Sequence, residues 1–318
     1  MTYPADRSDY PCAALVIAGP TASGKTALAL ELAAHYGTEI ISADSMQCYR
    51  GMEIGTAAPT PAECACIPHH LVACLDPDET MSAGRFQQEA RTVIANLNAQ
   101  GLPAVIVGGS GLYLQALVDG LFSGPGRDPA IRRRLRDKAA AEGNAALFAQ
   151  LQAVDPDYAA SLSSPNDLVR IIRALEVYEL SGEPFSVLHR RHQAAIRPIP
   201  ARWFALKHPR DGLYQRIDRR VLQMIEAGWL AEVQRLLDAG HRDALYRIKA
   251  LGYREICAYL DGDQPLDEAI AATQKHHRRL AKRQLSWFRG EKRIQWLHVN
   301  DATPTCASLD GILRGLEG

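Results

Sequence analysis

GPTASGKT, residues Gly19–Thr26, decides how this chain is read. It fits G-x-x-x-x-G-K-[ST], the pattern of a P-loop, and follows the apolar run Ala13–Ala18. From Thr26 to Tyr36 apolar residues recur at helical spacing, so strand, tight loop and helix are predicted in succession. That order turns backbone N–H groups and the positive end of a helix toward one anion. Gly19, Pro20, Thr21, Ala22 and Ser23 form the loop, and Gly24 lets the backbone come close to its ligand. Lys25 adds a point charge, and Thr26 adds a hydroxyl suited to Mg²⁺. The loop predicts a bound phosphate and leaves open which one.

Outward from the loop the chain alternates strand and helix. Glu39–Ala43 reads as a strand delivering Asp44, and Ser82–Ala99 reads as a helix. Leu102–Val107 reads as a strand running into the glycine turn Gly108–Gly111, which holds Ser110. This alternation predicts an α/β fold with a mostly parallel, P-loop NTPase-like sheet. Ligands of such sheets sit beyond the carboxyl ends of the strands, so the P-loop, Asp44 and Ser110 are expected along one edge. At Ser123–Pro129, SGPGRDP is turn chemistry and opens an Arg-rich region. There Ile131–Gln152 and Leu168–Leu180 read as helices, with breaks at Gly182, Pro184, Pro198 and Pro200. Ala201–His208 reads as a strand returning to the sheet, and Leu213–Ala239 and Leu266–Phe288 as long helical patterns. The expected organisation is a core of 1–125 and 201–318, with C-terminal helices, interrupted by a helical insertion at 126–200.

A composition of 47% hydrophobic and 23% charged residues is that of an ordinary globular protein. No apolar run approaches the roughly 18–20 residues of a membrane span, so no membrane role is expected. The start, MTYPADRSDYPC, has no signal core and reads as a loose lead-in without export. Seven cysteines, an odd number without framework spacing, fit a reducing cytoplasm. A net charge of zero conceals an asymmetry. Of 36 basic and 36 acidic residues, 5 and 12 fall in residues 1–125, leaving 31 and 24 in 126–318. A polyanion is expected to meet the later part, against the alternative of a solvated Arg-rich surface.

Asp44, at a strand end beside the P-loop, is placed to bind Mg²⁺, accept a proton or contact substrate; an Asx turn or N-cap is the structural alternative. The strand Val105–Val107 ends in Gly108, Gly109 and Ser110, where an NTPase usually carries a metal-serving acid. That absence argues against ATP or GTP hydrolysis. Ser110 either orients a nucleophile or caps the next helix, and spacing alone favours the cap. ECACIPHHLVAC, Glu63–Cys74, superficially resembles a zinc site, but its spacings are not paired knuckles; buried cysteines near a functional histidine loop are expected instead. Lys275–Arg293 holds eight Lys/Arg and one acid, with Trp287 and Phe288 interleaved. Such a helix suits a phosphate backbone with aromatics stacked on bases, or a core helix with Leu280, Leu285 and Trp287 turned inward. Arg170 and Arg173, one turn apart, suggest a second phosphate clamp.

Taken together, GPTASGKT, DSMQCYRGMEIGTAAP, PHHL at Pro68–Leu71, VGGSGLYLQAL, SPNDLVRIIRALEVYELSG, KALGYREI and LAKRQLSWFRG resemble the tRNA dimethylallyltransferases, the isopentenyl-tRNA or IPP transferase family. The landmarks run in order from about residue 13 to 297. Two departures are mild: Ser110 stands where Thr is commoner, and Ala58 where Lys is frequent. The resemblance implies transfer of a dimethylallyl group from dimethylallyl diphosphate to N6 of the adenosine on the 3′ side of the anticodon, position 37. Diphosphate leaves, with Mg²⁺ as cofactor held through Thr26. It implies Asp44 as the acceptor of the N6 proton, Ser110 as an orienting hydroxyl, and Lys25 and Arg220 at the diphosphate. Positions matching tRNA contacts are Asp44, Ser45, Met46, Gln47, Ser110 and Arg132; Val169, Arg170, Ile171, Ile172 and Arg173; Lys249, Ala250, Leu251, Gly252, Tyr253 and Arg254; and Lys282, Arg283, Gln284, Leu285, Ser286, Trp287, Phe288 and Arg289. A monomer acting on tRNA in the cytoplasm is expected. The rivals are a small-molecule kinase, which would need ATP and leaves both basic regions unexplained, a relative prenylating free adenine nucleotide, and a non-catalytic RNA-binding protein.

Overall fold

Ala14–Ala18 (β1) is buried at all five positions, and it forms the middle of a parallel sheet. The computed structural model describes residues 13–122, 124–195, 197–299 and 305–317; the lead-in at 1–12 and the turn residue Ser123 lie outside the described residues. The remaining strands are Ile40–Ser42 (β2), His69–His70 (β3), Ala104–Gly108 (β4), Ala201–Lys207 (β5) and Ile294–His298 (β6). Their order is β3-β2-β4-β1-β5-β6, and every pairing is parallel. The fold is therefore the α/β, P-loop NTPase-like sheet that the strand and helix alternation predicts. Continuous apolar strands such as ALVIA and AVIVG are what a sheet covered on both faces requires. The period of two sorts them. Leu15 and Ile17 pack with Leu28 and Leu32 of the P-loop helix Lys25–Tyr36 and with Ile312 near the C-terminus. Ala14, Val16 and Ala18 face Phe86, Ile94, Leu114 and Leu117 on the other side. Among the described residues, no helix is long and apolar enough to cross a membrane.

The described residues fall into two compact units, one made from the chain up to Asp119 and from Ile199 onward, the other from Gly120–Pro198. Two helical patterns of the sequence are broken. Ile131–Gln152 is two helices, Pro129–Glu142 and Asn144–Val154, with Gly143 between them at φ 86°. Leu213–Ala239 is likewise Arg210–Glu226 and Trp229–Asp238, parted at Gly228 with φ 99°. A left-handed glycine turns the chain while the apolar rhythm continues across it, so periodicity does not register the break. Leu266–Gly290, by contrast, is one unbroken helix.

The helical unit has its own core, including Leu135, Leu147, Leu151, Ile171 and Leu175. Within it lies the fully buried Glu176, which accepts from Arg132 Nε and a second Arg132 nitrogen (both 2.7 Å), from Arg173 (2.8 Å) and from the Asp128 N–H (2.9 Å). Burial alone pushes the Glu176 carboxyl up, but these bonds outweigh it and hold the group at about 2. Because the folded value lies below the unfolded one, its stabilisation is complete above about pH 4.3 and is lost as pH falls toward 2. Glu176→Gln is expected to destabilise the helical unit by about 3–5 kcal/mol, since two guanidinium groups lose their anion. It should also flatten the acid limb of unfolding, read by hydrogen exchange of residues 129–181 as pH is lowered.

Candidate active site

The loop after β1 is held from outside at successive residues. The Thr21 N–H donates to Gln284 Oε1 (2.9 Å), and Arg216 Nε donates to the Ala22 carbonyl (2.9 Å). His208 Nε2 lies 2.8 Å from the Ser23 carbonyl, which only accepts, so this nitrogen carries the proton. Ala22 sits at φ 61°, an uncommon left-handed position for a residue with a β-carbon. Lys25 Nζ donates to the Pro20 carbonyl (3.3 Å), folding its ammonium back over the loop.

A cleft of about 720 Å³ opens over this loop. Thr21 to Thr26, Asp44, Met46, the segment 53–61, Arg216, Arg219, Arg220, His277, Leu280 and Gln284 line it. Burial and the charge of Arg220 pull the Lys25 ammonium down, Asp44 pushes it up, and it settles at about 8. Burial likewise lowers Arg220; Asp44 opposes this and Arg216 adds to it. Among the described residues Arg220 has no hydrogen bond or ion pair. His277, buried beside Arg220 and His276, is driven to about 4 and is neutral near pH 7. Like charges crowded into a low-dielectric cleft form an anion site.

The strand ends carry the next two groups into place. The Ala43 N–H continues the β2–β4 ladder to the Val107 carbonyl (2.7 Å), and the Ser110 N–H returns to the Ala43 carbonyl (3.3 Å). Asp44 Oδ1 accepts from the Met46 N–H (2.9 Å), an Asx turn that aims the carboxylate. Ser110 Oγ accepts from the Ser45 N–H (3.3 Å). Ser110 thus stands at the start of the helix Gly111–Asp119, its carbonyl accepting from the Tyr113 and Leu114 N–H groups (2.9 and 3.0 Å) while its hydroxyl meets the Asp44 loop. Gln47 is used internally, accepting from Ser42 Oγ (2.8 Å) and donating to the Ala57 carbonyl (2.9 Å).

The opposite wall rests on residues that sequence reasoning passed over. Buried Glu232 accepts from the N–H groups of Ile54 (2.7 Å) and Gly55 (3.0 Å) and from the Tyr253 hydroxyl (2.7 Å). Burial raises its carboxyl, and the two backbone bonds offset part of that rise. The signal was present in WLAEVQRLL, where an acid sits among Trp229, Val233 and Leu236 on the buried stripe of a helix.

Other expected contact positions are divided by burial. Phe288, Tyr253, Ala250, Ile171 and Ile172 are buried, so their side chains serve the cores and do not face an outside RNA. The base-stacking role read for Phe288 is overturned by its complete burial, and Trp287 is partly buried against the same core. Leu285 packs beside Leu213 and Ile217, Leu251 is half-buried and lines the cleft, and Gly252 is buried. Lys249, Arg254, Lys282, Arg283, Ser286 and Arg289 are exposed. In the helical unit Val169 is exposed, Arg170 pairs with Asp167 (2.5 Å), and Arg173 is turned to Glu176. The Arg170–Arg173 clamp is therefore not formed, since each guanidinium has its own acid. In Glu63–Cys74, Cys66 is exposed and Cys64 and Cys74 are half-buried, which overturns the expected buried cysteines. His70 meets Glu39 (2.6 Å) and His69 its own backbone at Ile67 (2.7 Å); among the described residues no group of three His, Cys, Asp or Glu is placed to hold a metal.

Comparison with known proteins bears on this cleft. Residues 47–291 match the family described as IPP transferase. A tRNA dimethylallyltransferase of Geobacter sulfurreducens is 46% identical over 283 residues, 89% of this chain and 91% of the relative. The crystal structure of the full-length tRNA isopentenylpyrophosphate transferase of Bacillus halodurans is 38% identical, covers 95% of this chain and 96% of its own, and superposes with a TM-score of 0.67. A eukaryotic dimethylallyltransferase acting on tRNA superposes with a TM-score of 0.78 at 26% identity, covering 95% of this chain and 79% of its own.

An anion site whose lysine titrates at about 8 has a pH signature. Affinity for inorganic pyrophosphate is expected to hold below pH 8 and to decline above it as Lys25 loses its proton. Lys25→Gln should weaken binding and remove the part of the decline that Lys25 causes, as measured by titration calorimetry across pH 6.5 to about 9.5.

Proposed function

The chain belongs to the IPP transferase family, and we propose that it transfers a dimethylallyl group from dimethylallyl diphosphate to N6 of the adenosine 3′ to the anticodon, position 37 of tRNA, as a monomer in the cytoplasm. The observation that carries this reading is the pairing of an anion cradle, Lys25 and Arg220, with the carboxylate of Asp44 in one cleft. A γ-phosphoryl-transfer site would be served by an acid at the end of β4, where this chain has Gly108, Gly109 and Ser110.

In the reaction the allylic C–O bond breaks, a C–N bond forms to N6, the N6 proton passes to Asp44, and diphosphate leaves. Negative charge grows on the diphosphate, where Lys25, Arg220 and the loop amides oppose it. Their attraction strengthens as the bond breaks, so it favours the transition state over bound substrate. Adenine N6 is a weak nucleophile, and its orientation matters accordingly. Ser110 Oγ is tied to the Asp44 loop through the Ser45 N–H, and in this reading its hydroxyl orients the amine. The base reaches the cleft flipped out of its stack. Thr26 and Asp44 are oxygen donors on the cleft wall and fit Mg²⁺, which takes few protein ligands beside phosphate oxygens. Thr26 would hold the ion, which supplies further charge neutralisation at the diphosphate. RNA meets the exposed basic positions Lys282, Arg283 and Arg289, with Lys249 and Arg254.

Mass analysis of anticodon-loop nucleosides after incubation with tRNA, dimethylallyl diphosphate and Mg²⁺ tests the assignment; ATP turnover without tRNA would overturn it. Asp44→Ala is expected to lower single-turnover prenylation by about 10²-fold or more while tRNA affinity changes little. Arg283→Ala should weaken tRNA binding and flatten its salt dependence by about one counterion, read as the slope of affinity against salt.

A further inference from the structure

Gln284 lies on the basic helix Leu266–Gly290, yet its side chain does not face outward. Its Oε1 accepts from the Thr21 N–H in the P-loop (2.9 Å), and its Nε2 donates to the Gly109 carbonyl in the turn after β4 (3.0 Å). One planar amide thus bridges the diphosphate loop and the residue before Ser110. The fit is tight. A β-carbon on Gly109 would lie 2.3 Å from Gln284 Nε2, and one on Gly111 would lie 2.3 Å from the Trp287 ring. Gln284 and Trp287, three residues apart on one helix, therefore key into the glycines on either side of Ser110. The neighbouring positions Lys282, Arg283, Ser286 and Arg289 are exposed.

We propose that Gln284 is a positioning residue for the transfer: it sets the spacing between the P-loop and the Ser110 turn, and ties both to the helix that meets RNA. This rests on the functional reading above. The choice of side chain follows from hydrogen-bond chemistry. The loop offers a donor and the turn an acceptor, and an amide satisfies both at once. A carboxylate satisfies the first but sets a negative oxygen against the Gly109 carbonyl, and a thioether of similar length satisfies neither. The contact touches no reacting atom, so its effect is on geometry, where a displacement of about 1 Å lowers rate by up to about 10²-fold.

The test compares full-length wild type, Gln284→Met and Gln284→Glu by single-turnover prenylation of tRNA, with pyrophosphate and tRNA affinities measured separately. Both variants should lose about 10- to 100-fold in rate, with each affinity within about threefold of wild type, because Lys25, Arg220 and the exposed basic residues remain. The rate of Gln284→Glu relative to wild type should recover as pH falls, since a protonated carboxyl regains a donor for the Gly109 carbonyl; the Gln284→Met ratio should stay flat. Rates equal to wild type overturn the proposal, as do affinities that fall in proportion to rate, or parallel pH ratios for the two variants. If one variant does not fold, the other still decides, by its rate against its affinities. Absence of prenylation by the wild-type protein sinks the functional reading itself, a distinct result.

Discussion

All the described strands point the same way, and that constraint places the chemistry. In a parallel sheet the carboxyl ends form one edge, so whatever follows β1, β2, β4 and β5 is gathered there. Those followers are the P-loop, Asp44, the Ser110 turn and His208. Residues separated by up to about two hundred positions thus become neighbours, as His208 and the Ser23 carbonyl do. The ladder bonds from Ala43 to Val107 and from Ser110 back to Ala43 then fix the heights of Asp44 and Ser110 along that edge.

On this scaffold the cleft concentrates positive charge. Arg220 disfavours the charged form of Lys25, Arg216 disfavours that of Arg220, and Asp44 opposes both effects. Such an arrangement is unfavourable in the free protein and becomes favourable when an anion enters. In the proposed transfer a leaving diphosphate gains charge as its bond breaks, so the same field would act on binding and on rate.

Polar groups in buried or half-buried places do the holding. Glu176 organises two arginines and a backbone N–H in the helical unit, Glu232 supports the 53–56 wall, and Gln284 joins loop to turn. Each replaces water with fixed partners, and each binds segments that a purely apolar contact would leave free to slide. They also engage several positions that match tRNA contacts in the family. Arg132, Arg173 and Gln284 are already engaged.

The sequence by itself determined the strand–loop–helix order, the parallel α/β sheet, the phosphate loop and the family, because those follow from short-range patterns: apolar runs, glycine spacing and motif order. It also marked Asp44 and Ser110 as strand-end residues. Only the tertiary structure decided which members of a motif face outward. Lys282 and Arg283 are exposed while Phe288, a few residues along the same helix, is core. The helix breaks at Gly143 and Gly228, and the partners of Ser110, Glu232 and Gln284, were likewise settled by the fold. The physical reason is range. Periodicity and turn chemistry are properties of neighbouring residues, whereas burial and hydrogen-bond partnership depend on what another segment, often more than a hundred residues away, brings to the same place.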